Sequence, residues 1–250
     1  MSVQPWRGAV LLFDLFGTVV HFAPRVPTVE VAGTRWRSTM GWLREAVAAE
    51  APEVPFDDLL AALMWVTEDI VRQRPPDYFE VPSRERFRRA LTMLGIAAGR
   101  AAPIAERLSG VHMRHLAAQT VLPAGHASLL QRLGDRYRLG LVSNFDHAAT
   151  AQRILVAHGV ARYFETILIS ETFGRRKPHP AIFAAALQQM GAGQRDALFI
   201  GDSASDDVAG AHNAGLAVVW VNVKQEALPE GTPTPDYVID SLEELSDVLA

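Results

Sequence analysis

The stretch Ala9-Val10-Leu11-Leu12-Phe13-Asp14-Leu15-Phe16-Gly17-Thr18 runs five apolar residues into one carboxylate and then into a loop. An apolar run without alternation suits a central parallel strand buried on both faces. Such a strand sets Asp14 at its C-terminal end, in the crevice where open α/β sheets bind ligands. A lone Asp after a strand more often only caps a turn, so the remaining chain has to decide between the two readings.

Downstream of Pro123 the chain alternates helical and strand-like patterns. A helix carrying Leu129, Leu130 and Leu133 precedes a strand, Arg138 to Val142, that ends at Ser143-Asn144. A second helix through Ile154 and Leu155 closes at Gly159 and leads to the strand Thr166–Ile169 and a loop with Arg175, Arg176 and Lys177. His179 reads as the start of the next helix, which carries Phe183, Leu187 and Met190. The strand Ala197–Ile200 then ends at Gly201-Asp202, and a further helix begins near Asp206. Strands at Ala217–Val221 and Tyr237–Ile239 and an acidic terminal helix complete the pattern. Alternation of this kind predicts a doubly wound parallel sheet, an α/β fold.

Between the first strand and Pro123 the pattern is different. Val19-Val20-His21-Phe22 and the prolines Pro24 and Pro27 read as a short flap. From about Arg35 to Leu122 the period is helical, with stripes at Trp36, Met40, Leu43 and Val47, then Leu59, Leu63, Val66 and Ile70. Phe87, Leu91 and Leu94 form a third stripe, and Ile104, Leu108 and Val111 a fourth, punctuated by Pro52, Pro55, Pro75-Pro76 and Gly95. The chain is therefore divided into an α/β core, residues 1–19 and 123–250, and a helical insertion, residues 20–122. Trp36, Trp42, Trp65, Tyr78 and Phe79 read as core of that insertion, and His112 with His115 as a solvated helix face.

A length of 250 residues accommodates one large domain and a smaller insertion. With a net charge of −4 there is no basic field to attract nucleic acid, and with no cysteine there are no disulfides, thiolate nucleophiles or Cys-bound zinc. No uncharged stretch reaches the length of a membrane span. The first apolar run is interrupted by Asp14 and lacks a small-residue cleavage pattern, so it does not read as a signal peptide. The expected setting is cytoplasmic and the expected partner a small molecule, without nucleic acid or membrane; oligomeric state is left open.

In a parallel sheet the C-terminal strand ends share one edge, so Asp14 to Thr18, Ser143-Asn144, Lys177 and Asp202 to Asp207 can converge. A carboxylate there can act as a nucleophile. Carboxylates from separate strands suit Mg²⁺, a cation that prefers oxygen ligands. Lys177 adds positive charge, while Ser143, Asn144 and backbone N–H groups can hold phosphoryl oxygens. The chain has no Gly-x-Ser-x-Gly elbow and no Gly-x₄-Gly-Lys-Ser/Thr loop.

These stretches together resemble the haloacid dehalogenase-like hydrolases over nearly the whole length. Asp14 to Thr18 is similar to the family's first motif, whose leading Asp is the nucleophile. Ser143 with Asn144 is similar to the second, Lys177-Pro178-His179-Pro180 to the third, and Gly201-Asp202-Ser203 through Asp206-Asp207 to the fourth. The resemblance implies a Rossmann-like core with an all-helical cap, and catalytic roles for Asp14 and Lys177. It implies a Mg²⁺ site from Asp14, the Phe16 backbone carbonyl, Asp202 and Asp207. Substrate binding falls to Thr18, Ser143 and Asn144. His21 in the flap and Arg35 in the insertion are the candidates for touching the rest of the substrate, Arg35 through a guanidinium suited to a carboxylate.

Phe16 departs from the pattern. Phosphatases resembling this chain carry a second Asp there, which protonates the leaving alkoxide, whereas Phe16 has no proton to give. Dehalogenases of the family also lack that Asp, because halide leaves without a proton. They are metal-free, however, and usually lack the acid found here at Asp202; they tend to have an aromatic hydroxyl where this chain has Phe183. The expectation is a Mg²⁺-dependent hydrolase of a small phosphate ester through an aspartyl-phosphate on Asp14. The alternatives are a metal-independent 2-haloacid dehalogenase working through an Asp14 ester, and a catalytically weak phosphate-ester-binding protein.

Overall fold

A computed structural model of the protein describes residues 6–22, 26–31 and 34–249. Pro24 and the side chain of Trp36 lie outside what is described. The chain divides into two compact units: Met1–Phe22 with Asp77–Glu80 and Val121–Ala250, and Ala23–Pro76 with Val81–Thr120.

The strands in chain order are β1 (Val10–Phe13), β2 (His21–Phe22), β3 (Thr28–Val31), β4 (Thr34–Arg37) and β5 (Thr120–Val121). They continue with β6 (Arg138–Ser143), β7 (Thr166–Ile169), β8 (Ala197–Gly201), β9 (Ala217–Val221) and β10 (Tyr237–Ile239). The first unit is built on a six-stranded parallel sheet in the order β10-β9-β8-β1-β6-β7. Leu11, Leu12 and Phe13 are fully buried, which is why β1 tolerates no polar side chain until its end. Val10 pairs with Arg138 on one side and Ala197 on the other, so β1 lies between strands that come much later in the chain. The strand order reverses there, and the crevice at that switch point opens beside Asp14.

The second unit carries the helices α1 (Arg44–Glu50), α2 (Phe56–Gln73), α3 (Ser83–Met93) and α4 (Ala98–Ala117). Leu59, Leu63, Val66 and Ile70 of α2 are buried against Phe87 and Leu91 of α3 and Ile104 and Leu108 of α4. Side chains of this size stabilise by about 1.5–3 kcal/mol each when removed from water, so the interlocked stripes hold the unit together. Helix α2 stops at Arg74, immediately before Pro75, as a residue preceding proline disfavours helical backbone.

The structure corrects the insertion in three places. Residues 34–37 are a strand, not a helix: β4 pairs antiparallel with β3, setting Arg35 opposite Glu30. Alternating Thr, Val, Arg and Trp fit a pleated ribbon better than a helix, and the helical spacing read from Trp36 begins only beyond β4. Trp65 and Phe79 are not core, being 54% and 55% exposed. Trp65 lies beside the α2 stripe rather than on it, and the Arg175 guanidinium sits over the Phe79 ring at 4.9 Å.

His112 is likewise not on a solvated face. It is buried against Phe87, and its Nε2 lies 2.8 Å from Thr39 Oγ1, while His115 stacks on Trp42. Burial, followed by the charge of Arg86 and by His115, lowers His112 to about 4. Between its ordinary value of 6.5 and about 4 the unfolded chain takes up a proton that the folded unit refuses. Folding stability must therefore fall as pH drops through that window, by up to about 3 kcal/mol from this residue. Urea denaturation at pH 7 and pH 4.5 is expected to show a smaller acid loss in His112→Phe than in the wild type; equal losses would contradict the assignment.

The first unit adds α5 (His126–Gly134), α6 (Ala148–Ala157), α7 (Ser170–Phe173), α8 (Pro180–Gln189), α9 (Ala209–Asn213) and α10 (Leu245–Val248). His179 caps α8, its Nδ1 accepting the Ala181 N–H, with Pro180 in the first turn. Phe183 is buried in the core with its ring against Phe199 at 5.0 Å. No helix among the described residues is long and apolar enough to cross a membrane.

Candidate active site

The end of β1 is fixed by the Asp14 N–H, which donates to the Ile200 carbonyl at 2.9 Å. The loop then turns back on itself, with the N–H groups of Val19 and Val20 both donating to the Leu15 carbonyl. Gly17 makes that turn at φ +92°, where side chains are strained, and a Cβ there would stand 2.2 Å from Asp202 Oδ2. Glycine is thus required both by the turn and by the approach of a carboxylate from the next strand.

Three carboxylates meet at this edge. Oxygens of Asp14, Asp202 and Asp207 all lie within 4.8 Å of one another. Asp202 follows β8, and Asp207 sits in a π-helical turn, Ala204–Val208, with its Oδ2 accepting the Ser203 N–H at 2.9 Å. That turn directs Asp207 inward, whereas its neighbour Asp206 accepts from Asn144 Nδ2 at 3.0 Å. At Gly201 a Cβ would collide with the Asp207 carboxylate at 2.4 Å, so this position too must stay bare.

Lys177 is 1% exposed, and its Nζ stands 2.6 Å from Asp14 Oδ1, 2.7 Å from Asp207 Oδ1 and 2.9 Å from the Val142 carbonyl. Burial works against its charge, but the two carboxylates outweigh it and hold the ammonium above its usual range. Asn144 grips the backbone of Lys177 at both polar groups: Oδ1 accepts its N–H at 2.8 Å, and Nδ2 donates to its carbonyl at 3.0 Å.

Burial raises Asp14 above the ordinary carboxylate value despite the adjacent ammonium. Asp207 is raised to about 6, again by burial, with Lys177 opposing and Asp14 adding to the rise. Loss of water around Asp202, followed by the charge of Asp207, brings it to about 6 as well. Three carboxylates share one ammonium, so the ionised cluster carries two surplus negative charges. Hard oxygen donors with that surplus fit a divalent cation such as Mg²⁺.

Thr18 and Ser143 are fully buried, and neither hydroxyl has a hydrogen-bond partner among the described residues. His21 lines a cleft of about 450 Å³ together with Phe16, Gly17, Phe22, Asp202 and Lys224. Burial, then the nearby His126, lowers His21 below its ordinary value. The Phe16 ring stacks on Phe22 at 5.0 Å and tilts against Phe145 at 4.7 Å, forming an aromatic wall. Arg35 is exposed on β4 of the second unit.

Sequence reasoning did not single out Phe145, Lys224, Ser170 or Glu80. Phe145 follows Ser143-Asn144 directly, and that adjacency was a usable signal. Lys224 lies in an irregular stretch after β9, and Glu80 lies within the insertion; neither carried one.

A parallel sheet that gathers carboxylates and a buried lysine at its switch point defines an α/β enzyme equipped for hydrolysis. Residues 9–215 match the description haloacid dehalogenase-like hydrolase, and the chain belongs to that family. It is 38% identical over 131 residues to the pyrimidine 5'-nucleotidase YjjG of Escherichia coli, a match covering 52% of this chain and 57% of that protein. The chain thus spans little more than half the length of that relative. It is 31% identical over 207 residues to the phosphoserine phosphatase of Thermus thermophilus, covering 80% of each. Among solved structures it is similar to the 2-haloacid dehalogenase from Pseudomonas syringae pv. Tomato DC3000, with 26% identity, a TM-score of 0.74 and coverage of 97% of this chain and 98% of that one.

Proposed function

We propose that this chain is a Mg²⁺-dependent hydrolase of small phosphate monoesters that uses Asp14 as nucleophile. The observation that carries the reading is the convergence of Asp14, Asp202 and Asp207 within 4.8 Å of one another, two of them, Asp14 and Asp207, paired with the Lys177 ammonium. The phosphatase relatives agree with it. Asp14, Asp202, Asp207 and the Phe16 backbone carbonyl would hold the ion. Bound there, Mg²⁺ offsets the repulsion between an anionic nucleophile and an anionic phosphate.

The chain's own groups do the rest. Lys177 keeps Asp14 oriented and ionised for attack on phosphorus. Thr18 and Ser143 donate to the phosphoryl oxygens, whose charge shifts as the ester bond breaks. An aspartyl-phosphate forms as the P–O ester bond is cleaved, and the alkoxide departs. Water then attacks phosphorus, releases phosphate and restores the Asp14 carboxylate. Phe16 offers the alkoxide no proton, so the leaving group must depart as an anion or take its proton from solvent. General acid help contributes about 10²–10⁴-fold, so substrates with acidic leaving groups suffer least from its loss.

The test is phosphate release from a panel of aryl and alkyl phosphates, with Mg²⁺ and with EDTA. The expected result is Mg²⁺-dependent release with aryl esters ahead of alkyl esters by about 10²-fold. Turnover that persists undiminished in EDTA would overturn the metal-dependent reading. A second reading, metal-independent 2-haloacid dehalogenation, is favoured by Phe16 and by the likeness to the Pseudomonas syringae dehalogenase. Halide release from 2-chloropropionate, unaffected by EDTA, would establish it.

A further inference from the structure

Glu80 is a buried carboxylate that the chemistry above does not use: its side chain is only 3% exposed. It comes from Asp77–Glu80, the short segment between α2 and α3 that belongs to the first unit. That segment lies along residues 174–176, with the Glu80 N–H donating to the Gly174 carbonyl at 3.0 Å and the Arg176 N–H to the Tyr78 carbonyl at 2.9 Å. Phe79 forms an antiparallel bridge with Arg175. The backbone thus delivers Glu80 to the loop that carries Lys177.

The carboxylate then reaches in two directions. Ser170 Oγ donates to Glu80 Oε2 at 2.6 Å and itself accepts the Phe145 N–H at 2.9 Å. Arg176 Nη1 stands 3.3 Å from Glu80 Oε2, and Arg176 Nη2 stands 3.7 Å from Asp206 Oδ2, the oxygen that accepts from Asn144. Phe145 directly follows Asn144, and Arg176 directly precedes Lys177. One buried carboxylate therefore steadies the residue beside each partner of the Asn144–Lys177 clamp.

We propose that Glu80 is a positioning residue for the reaction, holding Arg176 and Ser170 so that Asn144 can fix Lys177 between Asp14 and Asp207. The proposal rests on the role given to Lys177 under the hydrolase reading. Glu80 touches neither substrate nor reacting atoms. Its effect is on the geometry of the ammonium, so it should appear in kcat and leave substrate binding nearly unchanged.

The test compares the full-length wild type with Glu80→Gln, Asn144→Ala and the double variant, using p-nitrophenyl phosphate and Mg²⁺. Losing a partner behind the primary groups typically lowers activity about 10–100-fold. Glu80→Gln is expected to lower kcat about tenfold with KM within about twofold, measured at a temperature where the variant is fully folded by circular dichroism. The double variant should be no slower than Asn144→Ala alone, because both substitutions disable one clamp. An activity-free readout accompanies this: the Lys177 ammonium signal in a ¹H–¹⁵N spectrum, assigned by its loss in Lys177→Arg. It should be visible in the wild type and broadened in Glu80→Gln. If the wild type does not hydrolyse the ester, that counts against the hydrolase reading, and the ammonium signal alone decides the role of Glu80. Wild-type kcat in Glu80→Gln, multiplicative losses in the double variant, or an unchanged ammonium signal would each overturn the proposal. Should Glu80→Gln fail to fold, Arg176→Lys, which keeps the charge but not the planar fork, carries the same expectations.

Discussion

Asp14→Asn is expected to reduce phosphate release by about 10³-fold or more, the scale seen when a nucleophile is removed from an otherwise intact site. The substitution is nearly isosteric, so it should leave the sheet unchanged. The Asp14 side chain is 9% exposed and meets Lys177 through Oδ1, and an amide oxygen can still accept from that ammonium. Lys177 also retains Asp207 at 2.7 Å. The loss should therefore fall on chemistry, with a melting temperature close to that of the wild type. Circular dichroism melting alongside a phosphate-release assay checks both halves. Substantial turnover in a folded Asp14→Asn protein would remove Asp14 from the nucleophile's role.

Lys177→Met should be costly in a different way, by damaging the fold as well as the chemistry. The ammonium is the counter-charge lying between Asp14 and Asp207, and without it two buried carboxylates face each other unpaired. Removing one partner from a buried ionic cluster typically destabilises by about 3–5 kcal/mol. The deficit should depend on pH in a definite direction. Asp207 already has a folded value near 6, above its ordinary 3.8, so the folded protein binds protons more tightly there than the unfolded chain does. Stability from this residue therefore increases as pH falls from about 6 towards 3.8. Without Lys177 the folded values rise further, and relief begins at higher pH. Urea titrations should show a larger gap between variant and wild type at pH 8 than at pH 5.5. A gap independent of pH would mean that the loss is one of packing.

Much of this could be read from the chain, for reasons that differ by element. β1, β6, β7, β8 and β9 are short apolar runs bounded by polar residues or glycine, and a doubly wound sheet leaves few other places for such runs. Asp14, Ser143, Lys177, Asp202 and Asp207 were legible as a group because a parallel sheet collects its strand ends at one edge. β3 and β4 were hidden because Trp36, Met40, Leu43 and Val47 happen to fall at helical spacing across a strand, a tight turn and α1. Trp65 lies one residue before Val66, off the buried stripe, so its ring is left in solvent although its type favours a core. Glu80 carried no signal at all. It sits among charged residues of the insertion, and its meeting with Ser170 and Arg176 is created by a backbone bridge 96 residues apart in sequence from Glu80 to Arg176.

The position of β1 also orders events during synthesis. Its partners β6 and β8 begin at Arg138 and Ala197, so 124 residues separate the end of β1 from the start of its first neighbour in the sheet. At about 5–20 residues per second, the ribosome takes roughly 6–25 s to make that interval. Through that time the most apolar strand of the protein has no neighbour to pair with. The buried cluster of the second unit, by contrast, is drawn entirely from residues between Leu43 and Leu108 and can close while β1 still waits. The nascent chain is thus exposed to aggregation at β1, and a holdase that covers residues 9–16 should raise the yield of folded protein more than one acting on any later segment.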